Sequence, residues 1–294
     1  MPGDDITILR RAWDNSHASN TAVKLINRLT LFDATSYYSE MPNLTQQPPT
    51  SQTRKEREWF TREQLILDTA QQILQQHGLH SLTMERVAAE IEYSKGTVYN
   101  HFNSKEEIIN AISCRCMNKL IDMFSRAQQY QGRHRERIAA IGIAHSLYAQ
   151  LHPTEIQNMQ ILKSADVREK ITPAMQQQML QLEQTVTGIV MDIVRDAIND
   201  GDIPSSEPYV PDSIVLALWT MGYGSNLLHL SGIPFDQLGM QQPLDMVWLN
   251  SHKLLDSYQW QPLSDSFDIN ELKEKICSAL YADEMQQLKQ QHGG

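Results

Sequence analysis

The segment from Ser94 to Phe102 carries the side chains whose types and spacing are best suited to chemistry. It reads Ser-Lys-Gly-Thr-Val-Tyr-Asn-His-Phe. At helical spacing, Val98 and Phe102 share one face, and the polar and basic residues lie on the outward rows. Contacts with bases and phosphates use amine, hydroxyl and amide groups, and this segment has all three around a glycine. The segment therefore predicts a helix whose leading end enters the major groove of DNA.

Each outward residue suits a particular contact. Lys95 can reach guanine acceptors, and Thr97 can donate to a base or touch a thymine methyl group. Gly96 leaves room where the backbone comes closest to the base edges. Tyrosine, histidine and lysine side chains and the free N–H groups at capped helix starts suit phosphate oxygens. The predicted DNA contacts are Thr83, Ser94, Lys95, Gly96, Thr97, Tyr99, Asn100, His101 and Lys105.

A second short helix must hold this one in place. Thr83 is a suitable N-cap for it, and the Glu92-Tyr93 pair is expected to form the turn that leads to Ser94. The residues expected to face inward are Met84, Val87, Ala88 and Ile91.

Longer helices flank this pair. Thr61-Arg-Glu-Gln64 has the pattern of a capping box and predicts a helix that ends at Gly78. Ser104-Lys-Glu-Glu107 has the same pattern and predicts a long helix to about Gln129.

The rest of the chain is also helical in pattern. Thr154-Glu-Ile-Gln157 predicts another helix start, and Thr172-Pro173 predicts a helix that runs to Asn199 before Gly201. Three more helices are expected at about Tyr209–Leu230, Pro243–Tyr258 and Ile269–Gln290. With no alternating apolar and polar run and no repeat, the expected fold is all-α.

Residues 61–112 resemble the DNA-binding domain of TetR-family transcriptional regulators. The resemblance rests on a first helix that ends at Gly78, a Thr83-capped second helix, the motif from Ser94 to Phe102, and Ser104-Lys-Glu-Glu107. It implies a homodimer that binds a near-palindromic operator and usually represses. It also implies an effector pocket in the C-terminal helices.

Four regions are expected: a poorly structured extension (1–53), a helix-turn-helix domain (54–107), a helical effector-binding and dimerisation domain (108–262) and an extra C-terminal helix (263–294). The extension and the extra helix are unusual for the family. The extension ends in a Pro-, Gln- and Thr-rich tract whose Met41 is a candidate natural start. Arg54, Lys55 and Arg57 could form an arm that reaches DNA, but the interleaved Glu56 and Glu58 favour a solvated linker.

Composition narrows the classes of function. The net charge of −10 argues against a protein that coats nucleic acid by basicity alone, although residues 50–115 are nearly balanced, with 8 basic and 9 acidic side chains. Three cysteines favour reduced thiols, and no run of about 20 apolar residues predicts a membrane span. We expect a cytoplasmic protein with no cofactor and no metal. Since no nucleophile elbow, phosphate-binding loop or metal-ligand cluster occurs, we do not expect an enzyme.

Two sets of residues in the C-terminal region are candidates for other roles, although for any single pocket residue a place in the core or an interface is favoured. The candidate pocket residues are His145, Tyr148, Met159, Met175, Trp219 and Tyr223, with Met179, Met221 and His229 as further candidates. The candidate dimer seam comprises Leu216, Trp219, Tyr223 and Leu227, with Leu244, Val247, Trp248 and Leu255.

The sequence thus predicts a homodimeric DNA-binding regulator, most simply a repressor that an unknown small molecule releases from its operator. The alternative is a DNA-binding dimer that acts through a protein partner and has no small-molecule effector.

Overall fold

Every regular element in residues 53–161, 169–204 and 209–292, which the computed structural model describes, is helical. This confirms the all-α prediction. In chain order the helices are α1 (Arg54–His77), a 3₁₀ turn (Leu79–Ser81), α2 (Met84–Glu90), α3 (Lys95–His101), α4 (Lys105–Gln128), α5 (His134–Leu151), α6 (Pro153–Ile161), α7 (Pro173–Asn199), α8 (Val210–His229), α9 (Pro243–Ser257), α10 (Ile269–Leu280) and α11 (Ala282–His292).

Helix α1 begins two turns earlier than the sequence predicts. Thr53 is its N-cap: the Thr53 hydroxyl accepts from the Glu56 amide at 3.3 Å, and the Glu56 carboxylate accepts from the Thr53 amide at 2.7 Å. Thr61 lies inside the helix, and its hydroxyl donates to the Arg57 carbonyl. The prediction of a cap at Thr61 is therefore wrong, because the pair at 53 and 56 forms the capping box instead. Arg54 and its basic neighbours are helical, not an arm or a linker.

The predicted N-caps of the two short helices are confirmed. The Thr83 hydroxyl accepts from the amide of Arg86 at 3.1 Å, and the Ser94 hydroxyl accepts from the amide of Thr97 at 3.2 Å. Between the two helices, Glu92 adopts a left-handed conformation with φ of 58°. The four inward residues of α2 and both apolar residues of the Ser94–Phe102 motif are buried, as expected.

Helix α4 follows α3 almost at once. The Ser104 hydroxyl accepts from the Glu107 amide at 3.2 Å, as the motif predicts. The Glu107 carboxylate, however, accepts from the backbone amide of Asn103 at 2.7 Å, one residue before the cap. The short link at Phe102–Ser104 ties the direction of α4 to the position of α3.

The remaining helices pack around α4 and α5. Helix α7 lies against α4 and α5, α8 pairs with α9, and α6 packs on α4. Thr172 caps α7 and Gly201 follows it with φ of 80°, as predicted. Thr154 is not a cap, because α6 begins at Pro153, directly after α5.

The predicted helix over 269–290 is wrong as a single element. Tyr281 separates α10 from α11, and its side chain is fully buried. Its hydroxyl donates to the carbonyls of Met123 at 3.1 Å and Ala140 at 3.2 Å. Tyr281 thus contacts both α4 and α5 at the point where the predicted helix is interrupted.

One buried apolar cluster runs from Ile66 in α1 to Tyr281, so the helices share a common core. The predicted boundaries at 107 and 262 stay predictions. The predicted extension, apart from Thr53, lies outside the described residues, as does Met41. Within the described part of the chain, no helix is both long and apolar enough to cross a bilayer.

Candidate nucleic-acid interface and effector cavity

The exposed side of α3 carries most of the predicted DNA contacts. Ser94, Lys95, Gly96, Tyr99 and Asn100 are exposed, with 46% of Tyr99 accessible. Of the other candidates, Thr83 is exposed and Thr97 and Lys105 are half-buried. Apart from His101, the side chains that the sequence assigns to bases and phosphates are thus at least partly accessible, and their contacts with DNA remain a proposal.

Gly96 lies in open space at the start of α3. A Cβ atom built on it would meet only the Ser94 hydroxyl, at 3.7 Å. Packing inside the chain therefore does not require a glycine here. The absence of a side chain instead leaves the backbone of the helix start open to an approaching surface, as predicted.

Lys95 is not a free cation. Its ammonium lies 2.8 Å from the carboxylate of Glu85 on α2. The hydrogen bond from Lys95 holds the pKa of Glu85 below its ordinary value. A base contact by Lys95 must therefore replace this exposed ion pair, which costs little because water screens it. Glu85 is a residue that the sequence analysis missed, because the pairing depends on how α2 and α3 cross.

His101 does not face outward, and that prediction is wrong. Its side chain is 0% exposed. The ring of Trp59 lies 3.8 Å from it, centroid to centroid, and the Glu63 carboxylate lies 3.8 Å from its Nδ1 atom. Burial lowers the pKa of His101. The early start of α1 explains the error, since Trp59 belongs to the two helical turns that the sequence analysis left out.

A cavity of about 550 Å³ lies among the C-terminal helices. Its apolar wall comes from α4, α5, α6, α7, α8 and α9. Representative lining residues are Met117, Leu120, Phe124, Ile141, Val190 and Leu218. This volume is in the range of small-molecule sites, which bind drug-sized ligands.

Only part of the predicted pocket lines this cavity. His145, Met159, Trp219 and Tyr223 do, as does Met179. Tyr148 and Met175 are not among the lining residues, and neither are Met221 and His229. Helical spacing predicts which face of each helix points inward. It does not predict which residues of that face pack against other side chains and which border the cavity.

Tyr148 belongs to a buried polar cluster beside the cavity. Its hydroxyl donates to the carboxylate of Glu155, which is 1% exposed. Gln71 donates to the same carboxylate at 2.6 Å, and the ammonium of Lys119 lies 3.5 Å away. Burial alone raises the pKa of Glu155, but the hydrogen bond from Tyr148 and the charges of His152 and Lys119 bring it below its ordinary value. The cluster joins α1, α4, α5 and α6.

Several lining residues keep a polar atom without a hydrogen-bond partner. They are Asn110 Oδ1, Gln160 Nε2, Asn226 Oδ1, Trp248 Nε1 and both ring nitrogens of His252. Sequence reasoning missed all five, because asparagine, glutamine and tryptophan at helical spacing give no sign that they border a cavity.

The two histidines of the cavity are neutral at ordinary pH. Burial lowers the pKa of His145 to about 4, and burial followed by the charge of Arg135 lowers that of His252 to about 4. The surface that His145 retains faces the cavity, beside Gly222, where a Cβ atom would lie 3.0 Å from the imidazole ring. The Asn226 amide nitrogen lies 3.3 Å from His145 Nε2.

The predicted dimer seam divides into two groups. Leu216 and Leu227 of α8 are exposed, as is Trp219, which also borders the cavity. Leu244 and Leu255 of α9 are buried within the chain, so assigning them to a seam was wrong. Leu228 and Leu249 add exposed apolar surface.

The three cysteines are free and buried. Burial raises the pKa of Cys114 to about 12, so its thiol stays protonated. Within residues 53–161, 169–204 and 209–292, no group of three or more histidine, cysteine or acidic residues is arranged to hold a metal ion.

Comparison with known proteins places the helix-turn-helix in a family. Residues 66–112 match the model of the bacterial regulatory proteins of the tetR family. A Bacillus subtilis (strain 168) protein, the uncharacterized HTH-type transcriptional regulator YhgD, is 24% identical over 158 residues, which make up 54% of this chain and 80% of that protein.

Solved structures share the fold over most of the described chain. A protein of unknown function from Rhodococcus sp. RHA1 superposes with a TM-score of 0.53 and 20% identity, covering 74% of this chain and 100% of that one. The TetR-family regulator PfmR from Thermus thermophilus superposes with a TM-score of 0.51 and 17% identity, covering 65% of this chain and 97% of that one.

Proposed function

We propose that this chain is a DNA-binding transcriptional regulator of the TetR family, namely a repressor that binds a near-palindromic operator as a homodimer and is released by a small molecule. The observation that carries the ligand response is that α4 is close to α3 and also borders the cavity. Its first residue lies three positions after Phe102, the C-cap of α3. The cavity is lined by four residues of α4, namely Asn110, Met117, Leu120 and Phe124.

The exposed surface of α3 is the proposed DNA interface. In this proposal Lys95 and Thr97 contact bases, and Gly96 allows the backbone to approach them. Tyr99, Lys105 and the amides at the capped helix starts bind phosphates. Asn100 lies on the same exposed surface, next to Gly96 by helical spacing.

The homodimer is proposed to form through α8 and α9. Leu216, Leu227, Leu228 and Leu249 expose apolar side chains there, and Leu216 is 62% exposed. Apolar surface of this kind is typical of a helical interface between subunits. In such a dimer the two α3 helices read half-sites about one helical turn (~34–36 Å) apart.

Two connections run from the cavity to the DNA-binding helices. Helix α4 is the first. Helix α6 is the second: Ile156, Met159 and Gln160 line the cavity, while Glu155 on the same helix accepts a hydrogen bond from Gln71 of α1. An effector that displaces α4 or α6 changes the separation of the two α3 helices. It weakens operator binding only to the extent that it binds more tightly to the conformation in which the separation of the α3 helices does not match the half-sites.

Fluorescence anisotropy on DNA from upstream of the chain's own gene tests this function. We expect saturable binding that fractions of a native metabolite extract reverse. If binding occurs but no fraction reverses it or shifts the melting temperature, the ligand response is rejected and the protein-partner alternative takes its place. If no operator-length DNA binds above non-specific affinity, the interface at α3 is rejected.

The oligomeric state needs its own experiment. Light scattering on the purified chain should give twice the monomer mass, and Leu216→Glu should halve it. Leu65→Glu, at an exposed leucine of α1, is the matched control and should leave the mass unchanged. A monomeric wild-type chain would contradict the proposed dimer.

A further inference from the structure

The chemistry of the cavity restricts what it can bind. Most of its wall is aliphatic, aromatic or thioether, contributed by residues such as Met117, Phe124, Ile141 and Val190. Such a wall takes the apolar body of a ligand, because burying apolar surface is the main favourable contribution to binding in a cavity of this kind.

Polar atoms without a hydrogen-bond partner interrupt this wall at five of the described residues. Asn110, Asn226 and His252 are 1%, 3% and 2% exposed, and each has a side-chain atom without a hydrogen-bond partner. Gln160 and Trp248 each add an N–H group that also has no hydrogen-bond partner. Nearly all buried polar groups in folded proteins are hydrogen-bonded to protein or to ordered water, so these atoms are available to the polar groups of a ligand that enters the cavity.

The unpartnered atoms include both acceptors and donors. The carbonyl oxygens of Asn110 and Asn226 accept hydrogen bonds, whereas the N–H groups of Gln160 and Trp248 donate them. A complementary ligand must therefore offer at least one donor and one acceptor. A pure hydrocarbon would leave these groups buried and unpaired, which costs affinity.

Formal charge is nearly absent from the wall. Among the described lining residues only Glu183 and Lys273 are charged. Lys273 is exposed, and its ammonium lies 6.0 Å from the centre of the Trp248 ring. Glu183 is half-buried, and the two histidines are neutral. A charged ligand group inside would lack a buried counter-ion, and a buried unpaired charge is strongly unfavourable.

We propose that this cavity binds an uncharged, mainly apolar molecule that carries both a hydrogen-bond donor and an acceptor, such as an amide or a hydroxy ketone. This assignment rests on the proposed function, in that it identifies the chemical class of the effector. Ligands with a carboxylate or an ammonium group on the same apolar body are excluded from the interior.

Three probes with one chain length and different head groups test the assignment. Decanamide is neutral with a donor and an acceptor, decanoate is an anion, and decylamine is a cation at pH 7. Binding to the full chain is followed by calorimetry and by tryptophan fluorescence, because Trp219 and Trp248 line the cavity. Decanamide should bind at least about tenfold more tightly than either charged probe. Equal or tighter binding of decanoate or decylamine, or no binding of decanamide, overturns the assignment.

Two glycine variants locate the binding. Gly142 lines the cavity, and a Cβ atom on it would meet nothing within 4 Å, so Gly142→Phe fills the space without a backbone clash. Gly188 is also helical and open at its Cβ position but is not a lining residue, which makes Gly188→Phe the matched control. Decanamide binding should be lost in the first variant and kept in the second. Any other pattern places the probe elsewhere and overturns the assignment.

A further variant tests the polar groups. Asn226→Leu keeps the number of side-chain heavy atoms but removes the unpartnered carbonyl oxygen, together with the amide nitrogen 3.3 Å from His145 Nε2, so decanamide should bind about tenfold more weakly. Asn110→Leu gives a second, independent measurement if the first variant folds poorly. Unchanged affinity in both would overturn the role of these groups.

Operator binding separates this assignment from the proposed function. If decanamide occupies the cavity but does not change the anisotropy of bound operator DNA, the chemical class stands and the effector role fails. If a charged metabolite releases the operator from the wild type, and calorimetry shows that Gly142→Phe no longer binds that metabolite, the effector role stands and the chemical class fails.

Discussion

Lys95 and Lys105 are two cations in the DNA-binding region with different surroundings. Lys95 is exposed at the start of α3 and pairs with Glu85 at 2.8 Å. Lys105 is half-buried at the start of α4. This difference supports a base contact for the first and a phosphate contact for the second, and the two roles predict different phenotypes.

We predict that Lys95→Gln changes which operator sequence is selected. Thr97→Val should do the same, because base contacts carry sequence preference. Selected-sequence profiling measures this. Glu85→Gln is the control, since it removes the partner of Lys95 without removing the amine. An unchanged sequence preference in both Lys95→Gln and Thr97→Val would show that neither Lys95 nor Thr97 contacts a base.

Lys105→Ala and Tyr99→Phe should instead weaken binding to all sequences alike. For Lys105→Ala, the slope of the logarithm of affinity against the logarithm of salt concentration should fall by about one, as for the loss of one phosphate contact. Anisotropy titrations at several salt concentrations measure the slope. A slope equal to that of the wild type would exclude the contact.

His252 predicts a pH dependence of stability. Its pKa in the folded chain is about 4, below the ordinary value of 6.5, because of burial and the nearby charge of Arg135. Between pH 6.5 and 4 the unfolded chain takes up a proton that the folded chain does not. The stabilisation is therefore complete above about pH 7, and it is lost at about 1.4 kcal/mol per pH unit as the pH falls through this window.

Urea unfolding at pH 7 and pH 5 tests this dependence. His252→Gln should lower the pH slope without removing it, because burial also lowers the pKa of His145 to about 4 and lowers the pKa values of His101 and His152. The charged neighbours Arg135, Lys253 and Asp256 remain in the variant. An identical slope in variant and wild type would mean that His252 takes up its proton normally in the folded chain.

At the scale of elements, α3 is held by apolar contacts on one side only. Phe102, its C-cap residue, is 4% exposed, whereas Tyr99 is 46% exposed. Phe102→Ala should lower the free energy of unfolding by about 3–5 kcal/mol, since it leaves a cavity under the helix. Tyr99→Ala on the exposed side should change it by less than about 1 kcal/mol. Urea unfolding followed by circular dichroism distinguishes the two, and equal losses would contradict the orientation of α3.

The junction of α10 and α11 is the second element whose role can be measured. Tyr281 joins it to α4 and α5 through two hydrogen bonds to backbone carbonyls. Tyr281→Phe should cost about 1–2 kcal/mol of stability. Tyr209→Phe, at a tyrosine that is 64% exposed, should cost nothing measurable. Equal stability of both variants would indicate that the C-terminal helices add little to the core.

At the scale of the whole molecule, the cluster around Glu155 connects the cavity to the DNA-binding helices. Gly142→Phe occupies part of the cavity and so stands in for an effector, and it should weaken operator binding. Gln71→Met removes the 2.6 Å hydrogen bond between α1 and α6 and should reduce that weakening by up to about tenfold. A double-mutant cycle on operator affinity measures the coupling. Additive effects of the two substitutions would show that α6 does not transmit the change.

The local part of this architecture was predictable from the sequence. The caps at Thr83, Ser94 and Ser104, the helix end at Gly78 and the buried face of α3 depend on hydrogen bonds and apolar spacing over a few residues. Those interactions are visible in any short window of the chain. The same reasoning failed at Thr61, because two capping boxes were available and only packing of Trp59 on His101 favours the earlier one.

The sequence by itself determined the all-helical class, the helix-turn-helix and the polar side of α3, because each follows from local geometry and apolar periodicity. Only the tertiary structure decided that His101 is buried, that Lys95 pairs with Glu85, and that Asn110, Asn226 and His252 border a cavity. These features depend on which faces of distant helices meet. A residue's own neighbours in the chain give its helical face, but they cannot specify what lies opposite that face, whether a side chain, a charge or empty space.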